Sequence, residues 1–190
     1  MPKGRVPVTD DEGPVPAGPL GRWLDGFGAA LVGAADADVP CGACSACCTS
    51  SQFVHVAPDE ADALAHLPSA LLVPAPGLPP GHVVLGYDEH GRCPLLVGGR
   101  CSIYDHRPRA CRTYDCRVFP ATGTVPEEPE KAAIAERVRR WRFDTDDLGD
   151  VALAAALRTA ADDLRRAHPA APATAVAVEA ARRVLVDRRA

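Results

Sequence analysis

The sequence predicts an α+β protein: a small cysteine-rich, metal-binding core with a short antiparallel β-meander, flanked by an N-terminal helix and C-terminal α-helices. Three observations predict it. All eight cysteines fall between Cys41 and Cys116. Short apolar runs separated by Gly and Pro lie within that same window, as in small strands joined by tight turns. Apolar residues recur at helical spacing on both sides of it, above all beyond Pro120, where the composition shifts to Ala, Arg, Glu and Asp. The expected division is a disordered segment at 1–18, a cysteine-cluster domain at 19–120 and a helical region at 121–190 packing on it.

Taken in order, Met1 to Gly18 is polar and rich in Pro and Gly and predicts no fixed structure. From Pro19 to about Ala35, Leu20, Trp23, Leu24, Phe27 and Leu31 form one apolar face, with Pro19 at the first turn of a helix. Gln52 to Val56 alternates as a short strand. Pro58-Asp59-Glu60 opens a helix through about Leu67, with acids in its first turn. Pro68 to Pro80 holds five prolines and reads as a linker loop. His82–Tyr87, Arg92–Val97 and Arg100–Tyr104 predict the three strands of the meander, with Pro94 placing its strand at an edge or a bulge. Pro108 can start a short helix carrying Cys111. Further on, Ile134, Val138 and Trp141 share a helical face. Asp146 or Asp147 can cap a helix from about Leu148 to Arg166 with Leu153, Leu157 and Leu164 inward, and Thr174 can cap a last helix ending near Arg188.

The bulk numbers narrow the function. The chain has 190 residues, 47% of them hydrophobic, and a net charge of −4. That balance argues against a general nucleic-acid or anionic-membrane partner. The first forty residues contain no apolar run of the length of a signal peptide or a transmembrane helix, so the expected compartment is the cytoplasm. Thiols there are kept reduced, and eight close cysteines then read as metal ligands or redox groups rather than disulfides.

Cys41, Cys44, Cys47 and Cys48 form a C-x2-C-x2-C-C run, and Cys93, Cys101, Cys111 and Cys116 follow. Two residues between cysteines let one loop turn two thiolates toward one ion or cluster. Gly42 permits the tight turn, and Ala43, Ser45 and Ala46 are too small to crowd it. Thiolates suit zinc, iron–sulfur clusters and Cu(I) alike. Cys47 and Cys48, being neighbours, are expected to point to different sides, so that one serves a second metal, bridges two ions or stays a free thiol. A two-residue turn at Gly98-Gly99 sets Leu96 against Cys101 and puts the Cys93 and Cys101 thiols on opposite faces; a three-residue loop puts them on the same face. If Cys111 and Cys116 serve one site, Cys116 is expected past the end of the Cys111 helix, because residues five apart on an α-helix diverge by about 140°.

These motifs, with Cys93-Pro94-Leu95-Leu96 and the run Cys101-Ser102-Ile103-Tyr104-Asp105-His106-Arg107-Pro108-x2-Cys111-Arg112-x3-Cys116, resemble the bacterial cysteine-cluster proteins of the CxxCxxCC type. The resemblance covers about residues 41–117. It implies a zinc- or iron-chelating domain, in which members are often labelled iron–sulfur oxidoreductases, and it makes all eight cysteines candidate ligands. The related module of flagellin lysine N-methylases is not carried over, since no S-adenosylmethionine motif accompanies it here.

Other residues have plainer and sharper readings. Arg100, Arg107, Arg109, Arg112 and Arg117 crowd the second cysteine group. They either offset thiolate charge or hold an anionic substrate, or they pair with Asp105, Asp115 and solvent. Tyr104 and Tyr114 read as packing residues. His55, His66, His82, His90 and His106 each offer an alternative ligand, with His106 the best placed and His168 the least. No nucleophile elbow, phosphate loop, H-E-x-x-H or dinucleotide fingerprint occurs. The first functional expectation is an iron–sulfur protein with a redox or electron-transfer role toward a protein partner. The alternatives are a non-catalytic zinc-stabilised interaction module and a thiol-based metal chelator.

Overall fold

The computed structural model describes residues 13–145 and 147–188. Of the segment expected to be disordered, residues 1–12 lie outside these, as does the candidate cap Asp146. In chain order the elements are β1 (Val15–Pro19), α1 (Leu20–Leu31), β2 (Val54–Val56), α2 (Ala61–His66), β3 (Leu72–Pro74), β4 (Val83–Leu85), β5 (Leu96–Val97), β6 (Arg100–Cys101), α3 (Arg109–Thr113), α4 (Val118–Thr122), α5 (Ala132–Arg140), β7 (Trp141–Asp144), α6 (Leu148–Ala167) and α7 (Ala173–Asp187). The α+β class holds. Among the described residues the chain forms two compact units, 41–114 and a second made of 13–40 with 115–188. The N-terminal helix therefore belongs with the C-terminal helices, and the cysteine-rich segment ends at 114 rather than 120.

The 41–114 unit is built on a three-stranded antiparallel sheet of order β2-β4-β3 and a separate β5-β6 hairpin. This corrects the expected meander, because β4 pairs with β2 and β3 instead of continuing into β5. The proline-rich stretch supplies β3, where Leu72-Val73 offers a short apolar run. Pro74, which has no N–H to donate, is tolerated because β3 is an edge strand. The core beneath the sheet is Val56, Ala63, Leu67, Leu85 and Leu95, with Cys93 and Ile103 packed against it.

In the second unit, β1 pairs in parallel with β7, with a bulge between Pro16 and Gly18. Residues 15–18 are thus ordered where the sequence suggested none. Their order comes from a partner strand far along the chain, which local composition cannot show. Trp141, expected on the α5 face, opens β7 instead and is buried. Helices α6 and α7 pack through small residues, with Ala161, Ala177, Ala180 and Ala181 fully buried. Asp147 caps α6 by accepting from Asp150 N–H. Leu157 and Leu164 face inward as expected, while α7 is capped by Pro172 rather than Thr174. The close approach of α1 to α7 depends on Gly28, where a Cβ would sit 3.0 Å from the Leu185 side chain.

Candidate metal centre

Each thiol of the 41–114 unit is set by its own backbone device. Gly42 takes a left-handed φ of 57°, and Cys44 N–H bonds to Cys41 O at 2.9 Å, closing the turn that carries Cys41 and Cys44. Ala46–Thr49 then forms a single 3-10 turn bearing Cys47 and Cys48. Cys93 N–H donates to Cys48 O at 2.7 Å, and Ser51 N–H donates to Gly91 O at 2.9 Å. These two bonds join the first cysteine run to the segment that carries Cys93. Gly98 and Gly99, at φ 56° and 75°, make the two-residue turn that a hairpin of this twist requires. Leu96 accordingly faces Cys101. The strands are only two residues long, so Cys93 lies outside the ladder and the face argument does not extend to it.

Cys111 is carried by α3, whose start is fixed by the buried carboxylate of Glu60. It accepts from the N–H groups of Ala57 and Arg109, tying the beginnings of α2 and α3 together. A carboxylate at a helix N-terminus is favourable because it meets unpaired N–H groups.

Charge on Cys47, Cys93 and Cys101 reaches Cys111, and charge on Cys47 and Cys101 reaches Cys93. Burial pushes the Cys111 thiol up to about 12, and potential thiolate charge on Cys47, Cys93 and Cys101 adds to it, with Arg107 acting the other way. Burial also raises Cys93, against a backbone hydrogen bond from Leu95, and Cys101 and Cys47 raise it further. Cys47 is raised first by a hydrogen bond with the Cys48 thiol, then by burial of the sulfur, although the residue taken whole is exposed. The contact between these two thiols corrects the expectation that neighbours point apart, because in the tight 3-10 turn adjacent side chains can still meet.

The eighth cysteine belongs to the second unit. Cys116 is past the end of α3, where a site shared with Cys111 would need it, and belongs to the 115–188 segment. It is buried, and Trp141 Nε1–H donates to its sulfur at 3.2 Å. Nearby in the same unit Asp115 and Arg117 form a buried pair at 2.7 Å. Trp23 Nε1–H also donates to Asp115, and Arg117 reaches the carbonyls of Ala17 and Asp38.

The arginines divide. Arg107 serves the thiols, lowering Cys47 and Cys111, and lies over the Tyr104 ring at 3.6 Å. Arg117 is paired with Asp115 and Arg109 with Asp59. Among the histidines, His55 and His82 share a 2.9 Å hydrogen bond across β2 and the start of β4. His106 meets Asp62 and His66, and the sequence reading left Asp62 out, although its D-x3-H spacing with His66 marks a shared helix face.

Fold and thiols together define a cysteine-cluster metal-binding protein. Residues 40–136 match the family profile CxxCxxCC, described as "Putative zinc- or iron-chelating domain". The match covers just over half of the chain, and the chain belongs to that family. It extends beyond Cys116 into α5, further than the cysteine motifs alone indicate. No curated protein and no solved structure matches the sequence.

Proposed function

We propose that the thiols of residues 41–114 hold an iron–sulfur cluster and that the protein moves single electrons to or from a protein partner. The observation that carries the metal reading is the gathering of seven thiols in one unit, where charge on Cys47, Cys93 and Cys101 raises Cys111. Thiolate charge on Cys47 or Cys101 opposes ionisation of Cys93 and Cys111, while Arg107 is the cation that lowers both Cys47 and Cys111. A bound metal cation relieves that repulsion and replaces the thiol protons. These four form the core of the ligand set. Cys41, Cys44 and Cys48 supply further thiols within the same unit, and Cys116 stays a candidate through the family pattern alone.

Seven thiols in one small unit exceed what a single tetrahedral zinc takes, which favours a cluster or more than one metal. When bound, a cluster supplies one-electron transfer at a potential set by hydrogen bonds and exposure. Arg107 would then offset cluster charge, and Cys48, through its bond to Cys47, would hold that ligand in place. A cytoplasmic site of action, where thiols are kept reduced, suits such a centre.

A second reading has its own support. Four thiols are also the closed set of a structural zinc, and the family description includes zinc. On that reading the module is non-catalytic and stabilised by its ion.

A Cys→Ser series on the anaerobically purified chain tests the ligand core. Serine at Cys47, Cys93, Cys101 or Cys111 should each lower bound metal by more than half and abolish any absorption bleached by dithionite. Full metal content in any two of these variants overturns the assignment.

A further inference from the structure

A second group of metal-ligating side chains lies apart from the thiols. The Asp62 carboxylate and the ring nitrogens of His66 and His106 all come within 4.8 Å of one another. Asp62 and His66 sit one helical turn apart on α2, and His106 arrives from a 3-10 turn at Tyr104–His106 that packs on it. His106 Nδ1 lies 3.0 and 3.1 Å from the two carboxylate oxygens, and His66 Nδ1 lies 3.7 Å from one of them. His66 Nδ1–H also donates to the Asp62 carbonyl at 2.8 Å. The two imidazoles stack at 3.5 Å with 6° between their planes.

We propose that Asp62, His66 and His106 form a second, exchangeable site for a divalent ion of the zinc class, independent of the thiol centre. Zinc bonds of 2.0–2.1 Å in a tetrahedron place ligand atoms about 3.3 Å apart, and the separations of His106 Nδ1 and His66 Nδ1 from the same oxygen, Asp62 Oδ1, are 3.1 and 3.7 Å and bracket that edge. Two imidazoles and one carboxylate favour zinc, cobalt or nickel over calcium or magnesium. The ion takes the place of the Nδ1 protons, and each ring keeps a proton on Nε2, so the imidazoles stay neutral. An ion lies in the plane of each imidazole it binds, so loading splays the stacked rings at Nδ1. Three protein ligands leave a fourth position for water or an exchanging donor. Asp62 and His66 are exposed, which suits capture and release better than permanent retention.

The test uses the full chain with its thiol centre already loaded, and Zn(II) as the probe. Wild type is expected to take up one more Zn(II) than a His66→Gln/His106→Gln variant, and to move the imidazole proton resonances of two of the six histidines. Asp62→Asn, an exposed change that leaves folding intact, is expected to weaken that extra Zn(II) at least tenfold. Thiol-reagent titration should be the same before and after Zn(II) is added, which separates this site from the thiols. Equal Zn(II) uptake and affinity in wild type and Asp62→Asn, or resonance shifts confined to other histidines, overturns the proposal whatever the thiols hold.

Discussion

At Cys111 a thiol is kept protonated by its surroundings, its pKa pushed up to about 12 by burial and then by its neighbouring thiols. In the unfolded chain the same thiol ionises near 8.5. The folded metal-free form therefore binds the proton more tightly, and stability present below about pH 8.5 is lost as pH rises toward 12. Urea midpoints of the metal-free protein should be lower at pH 10 than at pH 7.5, and unchanged midpoints contradict this. At the residue scale the sequence made the donors legible, because C-x2-C spacing has few other uses in a reduced compartment. Which thiols meet was not legible. Backbone bonds far apart in sequence join the Cys48 segment to the Cys93 segment, and the Glu60 carboxylate holds the start of the helix that carries Cys111. Asp62 was passed over because its partner His106 arrives from 44 residues away.

Two short glycine turns control the elements that present the thiols. Gly91 is the sharper case. Its φ is 72°, and a Cβ there would meet Ser51 Oγ at 2.4 Å. Its carbonyl also holds Ser51 N–H, beside the bond from Cys93 N–H to Cys48 O. A left-handed conformation costs a side-chain-bearing residue about 1–2 kcal/mol. Gly91→Ala should therefore lower unfolding free energy by about that amount in urea titration and also weaken metal retention, since it strains the link between Cys48 and Cys93. A fully stable variant with unaltered metal content would mean that this link does not set the site. A turn at Gly98-Gly99 was readable from the paired glycines, but its two-residue form, which sets Leu96 against Cys101, was left open against a three-residue loop. The pairing of β4 with β2 and β3 was not, since short strands carry little register information. Prolines disguised β3 as a linker.

For the whole molecule, the α+β class and most helices followed from apolar periodicity and capping residues. The grouping into units did not. Trp23 donating to Asp115, and Gly28 meeting Leu185, tie the first helix to the C-terminal half through contacts far apart in sequence. The thiols in turn are concentrated in one unit, seven of eight within residues 41–114, and this underlies the account. Its central claim concerns what that unit holds. The most direct measurement is the iron, zinc and acid-labile sulfide content of the anaerobically purified chain, taken with its visible spectrum. The account predicts iron with matching sulfide and a visible absorption that dithionite bleaches. Stoichiometric zinc with no sulfide and no visible absorption would contradict it.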